Sequence, residues 1–209
     1  MPPKQPLNFE TFLRDHLGPD LIDLTHNLET FVVHVYSGSI IRTLTILKDN
    51  KRCSFKQLID ITAVDYPKRL HRFDVVYNLL SHKLNIRVRI KINTTEETPV
   101  NSITEIFPAA NWFEREIFDL FGIHFTDHPN LQRILTDYNF TGHPLRKDFP
   151  LSGFTQVRYD ETNRRVTSEP VKLEQEYRDF NFISPWEGPQ NRKIPAPTPN
   201  NQKAVNFIP

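Results

Sequence analysis

The alternation of apolar and polar residues is clearest in the middle of the chain. Over residues 84–92, aliphatic side chains alternate with the cations Arg87, Arg89 and Lys91. This period-two pattern predicts a strand with one buried and one wet face, and we expect the cations along a solvated or partner-facing edge. Residues 73–80 are almost all apolar and predict a second strand, buried on both faces. A polar turn joins the two strands.

The chain before this hairpin predicts a helix and a strand. Residues 9–17 predict a short helix, with Asn8 as its cap and Gly18-Pro19 at its end. β-branched and aromatic residues at positions 31–36 predict a strand.

Residues 40–47 are ambiguous. Their β-branched side chains favour a strand, yet Ile40, Leu44 and Leu47 have helical spacing. Both structures therefore stay open for this run. Helical signals resume at residues 102–107.

Residues 109–121 predict a longer amphipathic helix that Gly122 ends. Apolar residues recur on one face at positions i, i+4, i+7 and i+8, and the opposite side is polar. Phe118 falls on the polar side, so that side is read either as a solvated face or as an interface. The apolar face consists of Phe113, Ile117, Leu120 and Phe121, and the polar side of Glu114, Arg115 and Asp119.

These elements together predict an α+β fold, with an antiparallel or mixed sheet and helices packed on one face. We divide the chain into an N-terminal helical extension (residues 1–30), an α+β domain (31–125), an irregular signature segment with docking loops (126–170) and an extended Pro-rich C-terminal arm (171–209). Within the signature segment, only residues 129–135 have a helical pattern. The arm carries Tyr177, Phe180, Phe182 and Trp186, aromatic residues suited to anchoring it on another protein.

Composition excludes several classes of function. The formal net charge is +1, which provides no strong field for nucleic acid. No apolar run approaches the roughly 20 residues needed to span a bilayer, so membrane association is expected to go through a partner. The single cysteine, Cys53, cannot supply the ligands of an iron–sulfur cluster or a zinc ribbon. The start of the chain resembles no targeting sequence, which predicts a cytosolic, processed or organelle-encoded protein.

Candidate chemistry is sparse. His124 and His128 have metal-ligand spacing, but Gly122 and Pro129 keep them off one helix face, so Asp127 is read as a cap for the following turn. The carboxylates of Glu114 and Glu116 diverge on a helix rather than converge across a cleft. No Walker loop, GxSxG, HExxH or GxGxxG motif occurs.

The stretch FTGHPLRKDFP, residues 140–150, combines conformational restriction with polar groups. Gly142 permits unusual backbone geometry, and Pro144 and Pro150 restrict the chain. Arg146 and Asp148 offer directional ion pairs that are strong only when shielded from water. We therefore predict a rigid docking loop rather than a catalytic loop, with both ion pairs at or beside a subunit interface.

A long run closely resembles the thirty-kilodalton family (the C subunits) of respiratory complex I, NADH:ubiquinone oxidoreductase. It reads EREIFDLFGIHFTDHPNLQRILTDYNFTGHPLRKDFPLSGFTQVRYDE and covers residues 114–161. FKQLIDITAVDYP and RFDVVYNLLS upstream, and EPVKLEQEYRDFNFISPWE downstream, resemble the same family. Ile117-Phe118 and Asn139 depart from its usual residues. The resemblance also implies that residues 40–47 are helical.

The resemblance implies a core subunit of the hydrophilic arm that docks on the forty-nine-kilodalton subunit and supports the quinone-reducing module. FMN, iron–sulfur clusters and quinone would be bound by other subunits, so we expect no catalytic, cofactor or metal residues here. The expected location is the matrix side of the mitochondrial inner membrane, or the cytoplasmic side of a bacterial one. The candidate interface residues are Glu114, Arg115, Glu116, Phe118, Asp127, His128, Arg133, Asp137, Gly142, His143, Pro144, Arg146, Lys147, Asp148 and Trp186.

Two alternatives remain from the residues alone. One is an independent enzyme that uses His143, Asp148 or Glu114. The other is a stand-alone phosphate- or RNA-binding module built on the cations of residues 87–91.

Overall fold

The computed structural model describes residues 7–27, 30–175 and 178. The chain divides into two compact units, Met1–Val171 and Lys172–Pro209, and every described helix and strand belongs to the first. The aromatic residues of the predicted C-terminal arm, including Trp186, lie outside the described residues. No helix within the described residues is long and apolar enough to cross a membrane.

The described part of the first unit contains three α-helices and nine strands. The helices are α1 (Leu7–Leu17), α2 (Ile40–Asp49) and α3 (Ala110–Phe121). The strands are β1 (Leu21–Asn27), β2 (Thr30–Val35), β3 (Gln57–Asp65), β4 (Phe73–Ser81), β5 (Ile86–Thr94), β6 (Val100–Asn101), β7 (Phe125–Thr126), β8 (Thr155–Asp160) and β9 (Arg165–Pro170).

Five strands form a mixed sheet in the order β1-β2-β5-β4-β3. Only the β2–β5 pair is parallel; the other three pairs are antiparallel. The α+β class and the mixed sheet predicted from the sequence are confirmed. The predicted strands at 31–36, 73–80 and 84–92 correspond to β2, β4 and β5.

The row of cations at residues 87–91 does not lie at an edge of the sheet. Strand β5 hydrogen-bonds to β2 on one side and to β4 on the other, so the cations run along the centre of the outer face. The predicted alternation holds, because Val88, Ile90 and Ile92 on the opposite side are fully buried. The edges of the sheet are β1 and β3 instead.

The core lies on one side of the sheet, where all three helices contribute to one apolar cluster. Residues 40–47 belong to helix α2, as the resemblance implied. Ile40, Leu44 and Leu47 are all fully buried from one helix face. Burying each such side chain contributes about 1.5–3 kcal/mol, which outweighs the weak strand preference of β-branched residues.

Four local expectations need correction. Strand β1 lies within the segment predicted to be a helical extension, and it pairs with β2. Residues 102–107 form only a turn, in which Phe107 N donates to Ile103 O over 2.9 Å. Residues 129–135 contain no helix. The hairpin of β8 and β9 was not predicted.

The ends of helix α1 agree with the prediction where they are described. The helix stops at Leu17, and Gly18 takes a positive φ of 44° before Pro19. The Asn8 side chain lies outside the described residues.

Candidate docking surface

Two carboxylates on α3 are buried, although the helical pattern predicts them on a polar, solvated side. The side chains of Glu114 and Asp119 are 0% exposed. A buried charge requires compensating hydrogen bonds, and both carboxylates have them. Glu114 and Asp119 therefore join segments of the chain from inside and are not surface groups.

Glu114 holds the segment that follows β6. It accepts hydrogen bonds from Ser102 Oγ at 2.6 Å and from the backbone N–H of Ile103 at 2.8 Å. Burial raises the pKa of Glu114 to about 7, even though both hydrogen bonds favour the ionised form. The contact ties the turn at residues 102–107 to α3.

Asp119 organises the segment predicted to be a helix. Its Oδ2 accepts backbone N–H bonds from Ile134, Leu135 and Thr136 at 3.1, 2.8 and 2.9 Å. Burial acts to raise the pKa of Asp119, but these bonds and the Thr136 hydroxyl together lower it. In the predicted helix the Ile134 and Leu135 amides would donate to carbonyls four residues earlier, but here they donate to Asp119, and the segment is a bend.

Two arginines complete this attachment. Arg115 Nε donates to the Gln132 carbonyl at 3.0 Å. Arg133 Nη1 lies 3.3 Å from Asp119 Oδ1 and 3.2 Å from the Gly142 carbonyl oxygen. Arg115 and Arg133, predicted as interface residues, therefore form hydrogen bonds inside the chain.

His143 and Arg146 pack against the end of α3. His143 Nδ1 lies 2.9 Å from the Asp119 carbonyl oxygen, and Arg146 Nε donates to the Phe121 carbonyl at 2.6 Å. Gly122, with φ 76°, makes the close approach possible. A Cβ at this position would lie 2.6 Å from His143 Nε2 and from Arg146 Nη2.

Arg72 anchors the next part of the loop to the sheet. It forms a bidentate ion pair with Asp65, with N–O distances of 2.7 and 2.8 Å, and its Nη2 lies 2.9 Å from Asp148 Oδ1. Glu96 bridges Arg72 to Arg146. Within the described residues, Arg146 and Asp148 thus pair inside the chain; a position beside a subunit interface stays a prediction.

Three phenylalanines of the same segment pack together. The ring of Phe149 lies 5.8 Å from that of Phe140 and 5.5 Å from that of Phe154, both as centroid distances. Gly142, with φ 99°, gives Phe149 room, because a Cβ there would lie 2.8 Å from the ring. These rings line a groove of about 230 Å³ together with Pro144.

The hairpin of β8 and β9 leads away from this groove with its apolar side uncovered. Val157, Tyr159 and Val166 share one face, because Tyr159 is registered opposite Val166 and Val157 lies two residues before it. Their side chains are 63%, 57% and 65% exposed. On the other face, Gln156 and Arg158 contact Glu169 at 3.0 and 3.2 Å.

The other candidate residues are distributed around the same segment. His128, not Asp127, caps the turn, since His128 Nδ1 accepts from Asn130 N at 3.1 Å. Phe118 is half-buried with its ring edge-on to His124. Glu116 and Pro144 are half-buried, while Asp127, Asp137, Lys147 and Asp148 are exposed.

The titratable groups proposed for an independent enzyme do not converge. Glu114 contacts Ser102, His143 contacts the α3 backbone, and Asp148 contacts Arg72. Among the described residues, no group of three or more His, Cys, Asp and Glu side chains is arranged to hold a metal ion. Burial raises the pKa of the Cys53 thiol to about 12.

Residues 33–155 match the family described as "Respiratory-chain NADH dehydrogenase, 30 Kd subunit". The chain belongs to this 30 Kd subunit family. It is 52% identical over 177 residues to the C subunit of NADH-quinone oxidoreductase from Chelativorans sp. (strain BNC1), covering 85% of this chain and 88% of that protein. It is 59% identical over 155 residues to the C subunit from Paramagnetospirillum magneticum, covering 74% and 78%.

A solved structure has a similar fold. It is described as the membrane-bound sulfane sulfur reductase (MBS), an archaeal respiratory membrane complex. The TM-score is 0.59 at 26% identity, over 69% of this chain and 86% of the matched chain. The family match and the C-subunit relatives confirm the predicted resemblance to the 30 Kd subunit family.

Sequence reasoning missed an exposed tryptophan in this member of the 30 Kd family. The Trp112 side chain is 70% exposed on α3. Its position about 140° around the helix from the buried Ile117 could have indicated this, given 100° per residue. Tryptophan exposed on a rigid helix is a residue type enriched at the centres of protein interfaces.

Proposed function

We propose that the chain is a cofactor-free core subunit of the hydrophilic arm of respiratory complex I. In this role it docks on the forty-nine-kilodalton subunit and supports assembly of the quinone-reducing module. The complex couples NADH-to-quinone electron transfer to proton pumping. Family membership and the names of the bacterial relatives, which are C subunits of NADH-quinone oxidoreductase, support the assignment.

The exposed apolar face of the β8–β9 hairpin carries the docking proposal. A two-stranded hairpin that buries neither face is marginal in water on its own. Here the polar face is tied together by Glu169, while the face with Val157, Tyr159 and Val166 is open. Contiguous exposed apolar side chains with a polar surround are typical of protein interaction sites.

The loop before the hairpin prepares this surface for binding. Arg72, Asp119 and Arg133 hold it by ion pairs and backbone contacts inside the chain. A segment already held in place loses less conformational entropy on association. The loop before the hairpin then acts as a rigid support, and the hairpin and the phenylalanine groove contact the partner.

The absence of a resident redox cofactor is part of the proposal. One cysteine is too few for a cluster, and Cys53 is fully buried with a raised pKa, which disfavours the thiolate that a metal needs. Attachment to the membrane is then indirect, through partner subunits. We place the protein on the matrix side of the mitochondrial inner membrane or on the cytoplasmic side of a bacterial one.

Replacement of the apolar hairpin face tests the docking role. A variant with Val157→Ser, Tyr159→Ser and Val166→Ser should lower the amount of assembled complex and remove cross-links to the forty-nine-kilodalton subunit. The quinone-reduction rate per assembled complex should stay near normal, because no hairpin residue moves a proton or an electron. The matched control makes three changes at exposed polar positions of the same hairpin, Glu161→Ser, Arg164→Ser and Arg165→Ser.

Two results would contradict the proposal. One is normal assembly of the apolar-face variant together with a strongly reduced rate per complex. The other is visible absorption from flavin or an iron–sulfur centre, stoichiometric with the purified chain alone.

A further inference from the structure

The outer face of the five-stranded sheet carries a row of cations at its centre. Arg87, Arg89 and Lys91 project from β5 on the side opposite the core. Arg87 and Arg89 are exposed, and Lys91 is half-buried. We call these three residues the basic row.

The floor around the basic row includes two small apolar residues. Arg89 is registered opposite Val32 on β2, and Lys91 opposite Val76 on β4. Both valines are only 5% exposed, yet neither belongs to the core cluster on the other side of the sheet. Aliphatic stems of long cations cover such positions while their charged ends stay in water.

The cations of the basic row have no carboxylate partner at ion-pair distance within the described residues. Arg89 Nε donates to Asn78 Oδ1 at 3.2 Å, and none of the three cations forms an ion pair with a described residue. Burial, and then the charge of Lys91, lower the pKa of the neighbouring His34, so this histidine is mainly neutral at pH 7. Arg72, by contrast, pairs with three carboxylates.

The spacing of the cations along β5 matches that of acidic side chains on an extended peptide. Side chains at alternate positions of one strand are about 6.8 Å apart, given a rise of about 3.4 Å per residue. Carboxylates at alternate positions of an extended peptide have the same spacing. We propose that the basic row binds an extended acidic segment of another subunit of the complex, laid along β5 on the outer face.

The surroundings favour an acidic peptide over nucleic acid. Proteins that bind single-stranded nucleic acid stack bases on aromatic side chains, and the described outer-face positions of β2, β4 and β5 carry no Phe, Tyr or Trp. Carboxylates also flank the row, because Asp23 lies opposite His34 and Asp60 opposite Asn78. They repel any anion that spreads sideways and so confine an anionic ligand to the strip formed by β2, β5 and β4, which favours a single extended chain laid along β5.

The inference uses membership in a multisubunit complex, but it does not rest on the hairpin as a docking site. The basic row belongs to β5, and the hairpin is formed by β8 and β9. A failure of the hairpin to bind a partner would therefore not contradict the proposal for the basic row. A failure of the basic row to bind would likewise not contradict the hairpin proposal.

The first test uses the wild-type complex. A zero-length carbodiimide should link Lys91 to an aspartate or glutamate of another subunit. An amine-acetylating reagent should modify Lys91 at least about tenfold less in the intact complex than in the isolated full chain, since an ion pair worth about 1.4 kcal/mol changes occupancy tenfold. Equal modification of Lys91 in both samples would overturn the proposal.

The second test reverses the charges with Arg87→Glu, Arg89→Glu and Lys91→Glu. The matched control, Lys51→Glu, Arg52→Glu and Lys56→Glu, makes the same charge change at exposed positions outside this face. The row variant should be incorporated less than the control, with a difference that shrinks as salt is raised. Equal incorporation would overturn the proposal. So would salt-dependent binding of a single-stranded oligonucleotide by the wild-type chain that the row variant loses.

Discussion

Arg72 and Asp65 join the loop at residues 140–150 to the sheet through a bidentate ion pair, with Nε–Oδ1 and Nη2–Oδ2 distances of 2.7 and 2.8 Å. The Asp65 side chain is fully buried, and its Oδ2 also accepts the backbone N–H of Lys147 at 2.8 Å. Arg72 in turn reaches Asp148, 76 residues further along the chain. One guanidinium thus connects the end of β3 to the loop that lines the phenylalanine groove.

Arg72→Ala should destabilise the folded chain by about 3–5 kcal/mol, because it leaves the buried Asp65 carboxylate without its partner. The matched control is Arg14→Ala, whose exposed pair with Glu10 at 2.8 Å should contribute about 0.5 kcal/mol or less. Chemical denaturation of the purified chain measures both. Equal effects of the two substitutions would contradict an anchoring role for Arg72.

The same pair has an expected pH dependence. The hydrogen bonds from Arg72 lower the pKa of Asp65 despite its burial. A lowered folded-state pKa gives stability that is present above the usual aspartate pKa of about 3.9 and is lost as the pH falls towards the folded value. The wild-type chain should therefore lose more free energy of unfolding below about pH 4 than Arg72→Ala does.

Gly122→Ala should destabilise the chain by at least about 2 kcal/mol, since an L-residue at φ 76° is strained and its Cβ would meet His143 and Arg146 at 2.6 Å. Gly38→Ala is the matched control, because a Cβ there meets no atom within 4 Å. We expect a change within about 0.5 kcal/mol for that control. Thermal unfolding of both variants is the measurement, and a neutral Gly122→Ala would show that the loop does not pack on α3 as described.

The sequence predicts elements best where burial imposes a period. Strand β5 and helix α3 each have one face pressed against the core, so their apolar residues recur at spacings of 2 and 3.6, while β4 is marked by an almost continuous apolar run because it is buried on both faces. The hairpin of β8 and β9 has no such constraint. Val157 and Tyr159 alternate with polar residues, but neither face is buried in the chain, so too few apolar residues mark the two strands.

The buried carboxylates could not be predicted from periodicity. A helical wheel assigns Glu114 and Asp119 to the polar side because it ranks residues by charge. Their partners are distant in sequence: Glu114 binds Ser102, 12 residues earlier, and Asp119 binds Thr136, 17 residues later. The same holds for Arg146 and Asp148, whose partners Glu96 and Arg72 lie in other parts of the fold. Glycine and proline mark the docking loop as rigid in the sequence, but nothing local identifies the groups that hold it.

Glu114 should make the folded chain less stable as the pH rises. Its pKa is raised by burial to about 7, well above the usual glutamate value of about 4.3. A raised folded-state pKa means that the native state binds more protons between these values, so the free energy of unfolding falls as the pH increases through this range. With about 1.4 kcal/mol per pH unit, the two units between pH 5 and the folded pKa of about 7 account for a loss of about 3 kcal/mol by pH 8.

Glu114→Gln isolates this contribution, because glutamine has the shape of the protonated acid and cannot ionise. Relative to the wild type, the variant should gain about 3 kcal/mol in unfolding free energy between pH 5 and pH 8, as measured by denaturant titration at both values. Glu116→Gln is the control, since it makes the same change at a half-buried position on the same helix. If the difference between Glu114→Gln and wild type is the same at both pH values, Glu114 keeps one protonation state throughout. Its contacts with Ser102 and Ile103 would then hold the carboxylate in its charged form against the cost of burial.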